Sequence, residues 1–157
     1  MKELSEDSKV WVYQSDKDFT SNQISVMESK LNAFCVDWTA HDKALKADFE
    51  ILYNRFIILA VDEGYNSASG CSIDKSVNFM KTLGAEINCN LFERMEMAFL
   101  ENDSVKSIHF NKLSEALSSN KVNEESLFFD TLIKTKAQLK DFLIPLKQHW
   151  LMQRVKV

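Results

Sequence analysis

Glycine and proline are almost missing from this chain, with three and one of them in 157 residues. The shortage excludes the common phosphate-gripping loops. G-x-G-x-x-G is impossible with glycines placed as they are. In G-x-x-x-x-G-K-[ST] the glycines stand five apart, and a lysine then carries charge to the β/γ-phosphates. Here Gly64 and Gly70 stand six apart, and Cys71 takes the lysine position. Cysteine is also sparse: Cys35, Cys71 and Cys89 are an odd, widely spaced set. Such a set predicts free thiols in a reducing cytoplasm. There is no C-x-x-C, H-x-x-x-H or H-E-x-x-H, so no metal site or other cofactor is expected.

No apolar run approaches the ~20 residues needed to span a bilayer, and Met1 to Lys9 contains no apolar core of a secretory signal. A soluble cytoplasmic protein without membrane insertion is expected. Positive charge is short as well. The formal net charge is −4; from Phe128 onward six Lys/Arg face two Asp/Glu, a local +4 that leaves −8 on the rest. An acidic body with so thin a basic tail argues against nucleic acid as a partner.

What the chain does have is apolar bulk: 45% hydrophobic residues, with eleven Phe and three Trp. A domain near this length buries roughly 70% of its unfolded surface. One domain spanning 1–157 is expected, with a core over about 10–110 and a helical extension over about 111–157.

Val10 to Tyr13 is a short β-favouring run. Ile24, Met27, Leu31, Phe34 and Trp38 recur at helical spacing behind Thr20 or Ser21 as the cap. Phe49, Ile51 and Tyr53 alternate with Asp48, Glu50 and Leu52, predicting a strand with one largely polar face. Asn54-Arg55 suits a hairpin turn. Phe56 to Val61 has no alternation, as expected of a strand covered on both faces.

Ile73, Val77, Met80, Leu83 and Ile87 mark a second helix, with Ser72 as its expected cap and Gly84 near its end. Leu91 to Leu100 reads as a fourth strand broken by Glu93, Arg94 and Glu96. After an Asn102-Asp103 turn, Val105 to Phe110 reads as a fifth. A short helix over Lys112–Ser118 follows. Leu127 to Phe129 fits a strand or a helix front. Thr135 to Leu143 reads as a helix stopped by Ile144-Pro145, and Trp150 as an anchor for the tail.

The order βαββαβ predicts an α+β fold. Its expected form is one antiparallel sheet of about five strands with helices on one face, with a ferredoxin-like core.

Chemistry concentrates at Asp62 to Lys75, where the buried strand passes through a turn into a helix. Cys71 sits ahead of the expected cap Ser72, where the positive end of the helix dipole favours a thiolate. Free N–H groups there suit an anion, with Ser69, Gly70, Ser72 and Lys75 as ligand-binding candidates. Asp74, also a candidate, opposes both effects by complementing the dipole itself. The ordinary alternative is that Cys71 is a small packed residue in a tight turn. A cysteine phosphatase would carry arginine six residues after the thiol, where Val77 stands.

A thiol enzyme needs a base. His41 is the candidate, although its connection is expected at the opposite end of the sheet from the 62–75 turn. His109 and His149 read as structural or exposed. Asp62 and Glu63 are the acid/base candidates, but neighbouring carboxylates in a strand point to opposite faces, so solvated turn residues are the plainer reading.

Taken together, several stretches resemble a family of small, uncharacterised bacterial proteins that often carry the automatic label "ABC transporter ATPase". These are Trp11-Val-Tyr-Gln-Ser15, Trp38-Thr-Ala-His41, Phe56 to Glu63, Ala68-Ser-Gly-Cys-Ser-Ile-Asp74, and Leu132 to Trp150 with Pro145. The resemblance covers most of the chain, and Ser-Gly-Cys-Ser-Ile-Asp is its most specific piece. It implies no established activity, substrate or site. The label itself conflicts with the sequence, since an ABC ATPase needs a Walker lysine and a longer chain. The expected function is a binding or interaction module for an unknown small ligand or protein. The alternative is a thiol-dependent enzyme or anion site at residues 62–75.

Overall fold

Phe56 to Val61 form a strand in which none of the six residues is exposed to solvent. The structure, a computed structural model, describes residues 1–149; the expected anchor Trp150 lies outside the described residues. The elements run β1 (Lys9–Gln14), α1 (Ser21–Asp37), β2 (Thr39–Ala40), β3 (Lys43–Ala44), β4 (Ala47–Leu52), β5 (Phe56–Val61) and α2 (Gly70–Ile87). Then come β6 (Glu96–Glu101), β7 (Ser104–His109), α3 (Leu113–Ser118), β8 (Leu127–Phe129) and β9 (Leu143–Pro145), with short 3-10 turns between them.

The first sheet has the order β1-β5-β4, antiparallel throughout. β1 and β4 therefore run in the same direction, with β5 between them, and α1 makes the crossover of a split β-α-β unit. One face carries Tyr13, Ile57 and Leu59, covered by Met27 and Leu31 of α1 and by Met80 and Leu83 of α2. On the other face Val10, Phe56, Ile58 and Ala60 meet Ala98, Phe129, Ile133 and Phe142. β5 shows no alternation because both its faces are buried.

The class is α+β, but the expected single sheet is split into two main sheets and a two-stranded β2-β3 ribbon. A second antiparallel sheet, β7-β6-β8-β9, lies against the far face of the first. Its own outer face is closed by Leu113 and Ala116 of α3 together with Leu146. The expected fourth strand starts only at Glu96, because residues 91–95 are held as turns by their own side chains. Asn90 Oδ1 accepts the Phe92 N–H, and Glu93 Oε1 accepts those of Met95 and Glu96. In the place of a fourth strand beside β1 there are two fragments. The Glu93 N–H donates to the Gln14 carbonyl at 3.1 Å, and the Val10 N–H donates to Lys134 at 3.0 Å. A complete ferredoxin-like sheet is thus corrected to three of its strands with both helices.

The helical extension is corrected too. Residues 136–141 form a 3-10 turn, and Leu143–Pro145 is a strand paired with β8. Pro145 is tolerated because β9 is an edge. The predicted Asn54-Arg55 turn lies one residue earlier: Tyr53 and Asn54 take φ of 54° and 52°, and Arg55 is buried. The Arg55 guanidinium donates to the Ser15 and Asp16 carbonyls, to Asp18 Oδ1 at 2.8 Å, and to Ser107 Oγ at 2.8 Å on β7. A buried charge needs such partners, and these tie the two sheets together.

Candidate functional site

α2 opens one turn earlier than its apolar periodicity suggests. Ser69 is the cap, with φ −99° and ψ 167°, and its hydroxyl accepts the Ser72 N–H at 3.1 Å. The Ser72 hydroxyl accepts the Ser69 N–H at 2.7 Å and donates to the Ser69 carbonyl at 2.8 Å. This reciprocal box corrects the assignment of Ser72 as the cap. It also occupies both serine hydroxyls. Gly70 and Cys71 become the first two helical residues, whose N–H groups have no intrahelical acceptor.

Cys71 is exposed, while Cys35 and Cys89 are buried. The packed-residue reading of Cys71 is therefore corrected: helix position two points it outward. Burial pushes the Cys35 thiol up to about 11, which leaves that residue inert at neutral pH.

The sequence-based placement of His41 is corrected as well. β5 runs antiparallel to β4, so it ends at the edge of the sheet where β4 began, and α1 also ends there. The turn after α1 and the start of α2 consequently share one end of the sheet. A cleft of about 560 Å³ lies between them, lined by Thr39, His41, Asp42, Ser69, Gly70, Cys71, Ser72 and Lys75.

Two side chains hold the walls in register. The buried Trp38 indole donates to the Ser72 carbonyl at 2.8 Å, and Asn66 Nδ2 donates to the Ala40 and Lys43 carbonyls at 3.2 Å. Trp38 is backed by Phe34 at 5.0 Å, which stacks on Phe79 of α2 at 4.4 Å. His41 and Asp42 make the β2–β3 turn with φ of 52° and 63°. That conformation is mildly strained in residues with a Cβ.

Asp62 and Glu63 stand apart from this cleft. Asp62 is buried, and its Oδ2 accepts the Ser5 N–H at 3.1 Å and its Oδ1 the Gly64 N–H at 3.1 Å. These bonds, with Lys46 beside them, hold its carboxyl below the usual range. Glu63 accepts the Ala68 N–H at 3.0 Å and pairs with Lys9 at 2.9 Å. Both carboxylates anchor the loop, and neither is oriented as an acid or base toward Cys71. Asp74 is exposed and does not line the cleft. Among the described residues no cluster of His, Cys, Asp and Glu could hold a metal ion, and no helix is long and apolar enough to cross a membrane.

The sequence reading missed Trp38 and Asn66 as positioning residues. In the sequence Trp38 reads as the last apolar position at helical spacing and as part of Trp38-Thr-Ala-His41, and nothing local marks an asparagine that bridges two carbonyls. Compared with known proteins, the chain matches no family model, no curated protein and no solved structure at a significant level.

Proposed function

We propose that the protein is a binding module that seats a small anionic group in the cleft at the start of α2. The observation that carries the reading is that His41 and Lys75 line the same cleft as Gly70 and Cys71, whose N–H groups have no acceptor among the described residues. A helix start concentrates positive potential on such groups, and two basic side chains reinforce it. Asp42, on the rim, limits how much negative charge the cleft accepts. The three unpaired cysteines support a reducing cytoplasm as its location.

The test is an amide-resolved NMR titration with inorganic phosphate. Saturable shifts at Gly70 and Cys71, weakened in Lys75→Ala, are expected. A Cβ at Gly70 meets nothing within 4 Å, so Gly70→Leu should block the cleft without disturbing the fold. Phosphate that leaves both amides unmoved sinks the reading.

A second reading, thiol chemistry at Cys71 with His41 as base, is favoured by one observation: the exposed cysteine shares its cleft with a histidine. It predicts fast alkylation of Cys71 that persists below the pH range of an ordinary thiol, with Cys35 and Cys89 as internal controls. An ordinary pH profile, unchanged in His41→Ala, ends it.

A further inference from the structure

Each main sheet ends in two edge strands, whose outward N–H and C=O groups pair with another chain unless something blunts them. Three of the four edges here are blunted. β1 is covered by Lys134 and Glu93, as its hydrogen bonds at 3.0 and 3.1 Å record. On β4 the Phe49 N–H is taken by the neighbouring Asp48 Oδ1 at 2.8 Å. Pairing β4 with its own copy about Phe49 would also set Asp48 against Glu50, a like-charge opposition. β9 has three residues and ends in Pro145, which has no N–H to offer.

Among the described residues β7 has no such device. The Asn102-Asp103 turn, with φ of 51° and 63°, is a two-residue hairpin loop, and the Phe110 N–H donates to the Met95 carbonyl at 2.9 Å. Both fix the ladder phase: Ser104, Lys106 and Ile108 exchange hydrogen bonds with β6. Val105 and Ser107 therefore turn N–H and C=O outward, and His109 turns its N–H outward. No described residue pairs with the outward groups of Val105 and Ser107. Lys106 is the residue that would ordinarily protect such an edge. It is tied down instead, to Glu101 Oε2 at 3.2 Å and the Lys121 carbonyl at 3.4 Å. A groove of about 370 Å³ runs along Lys106–His109 on the α3 side, with Glu96, Lys112 and Glu115 in its lining.

We propose that β7 is a dimer interface, on which a second copy of this chain adds its own β7 in antiparallel register with the two-fold axis at Ser107. In that register Ser107 exchanges both backbone bonds with its counterpart, and the His109 N–H donates to the Val105 carbonyl across the axis. Lys106 faces Ile108, so no like charges oppose, in contrast to β4. Phe110, 51% exposed, faces Ser104 of the other copy. The two four-stranded sheets become one of eight strands.

Sedimentation across a concentration series, with amide exchange followed residue by residue, tests this. The expected result is a monomer–dimer equilibrium in which the Ser107 and His109 amides gain protection only as dimer forms, while Lys106 and Ile108 are protected throughout. His109 has φ −59°, which proline adopts without strain. His109→Pro removes two bonds per dimer, one from each copy, and should weaken dimerisation about tenfold or more while leaving the circular dichroism unchanged. A monomer at every concentration overturns the proposal. So does a dimer in which the Ser107 amide exchanges freely, or a His109→Pro dimer as tight as the wild type.

Discussion

The two sheets of this molecule share a boundary but are built by different means. The first has three six-residue strands, two helices with reciprocal caps, and a central strand with no solvent exposure. The second combines one hairpin of two six-residue strands with two strands of three residues each. Local signals are strong in the first and weak in the second, so the second depends on what it packs against. The cleft belongs to the first sheet and the open edge to the second. The half with the capped helices thus carries the candidate ligand seat, and the half that includes the short strands carries the candidate interface.

The largest blow to the first sheet should come from Leu59→Ala. Leu59 is fully buried against α1 and α2, and truncation there should cost about 2–5 kcal/mol, measured by urea unfolding. The contrasting Leu127→Ala, on a strand of the second sheet where 39% of the residue is exposed, should cost well under that. Equal losses would erase the distinction between the halves.

Next is Gly84→Ala. Gly84 lies inside α2, which continues to Ile87 and ends on Asn88 with φ 56°. A Cβ at Gly84 would meet the Cys89 carbonyl oxygen at 2.7 Å, and the resulting backbone shift should cost about 1–3 kcal/mol. Alanine normally improves a helix interior, so a stabilised variant would refute this packing.

Ser69→Ala removes the cap of α2 and should cost about 1 kcal/mol. It also frees the Ser72 N–H beside the cleft. Thr20→Ala, which breaks the matching box on α1, is the control; it should cost a similar amount while leaving phosphate shifts at Gly70 and Cys71 intact.

The smallest neutral-pH effect should be a gain. Asp103 holds φ 63° in the hairpin of the second sheet, where glycine is unstrained, so Asp103→Gly should stabilise by up to about 1 kcal/mol, read as a raised Tm.

A last test runs on the acid side. Asp62 has a lowered folded pKa. The unfolded chain therefore binds its proton first, and the stability that Asp62 contributes is present above about pH 4 and lost as pH falls through the folded value. Asp62→Asn should flatten that acid limb of the stability profile.

Much of the first half was legible because its signals are short-range. Helical spacing from Ile24 to Leu31 placed α1, and the unbroken run Phe56–Val61 announced a doubly covered strand. The second sheet was harder to read, since Leu127–Phe129 and Leu143–Pro145 are too short for periodicity to separate strand from helix. The cleft was half legible. Ser69 to Lys75 stand out as a turn entering a helix, whereas the end of the sheet at which His41 lies depends on strand direction, which local sequence does not fix.

By itself the sequence determined the class, the cap of α1, the Asn102-Asp103 turn and which phosphate-loop motifs are missing, since a missing lysine or glycine needs no neighbours to be decisive. Only the tertiary structure decided that Cys71 is exposed, that His41 lines the same cleft, and that among the described residues β7 is the edge of the two main sheets left without cover. Those facts depend on strand direction and on contacts between residues far apart in the chain. Side chains such as Trp38, Asn66 and Arg55 take their roles from partners 23 to 52 positions away, and no local pattern in the sequence encodes them.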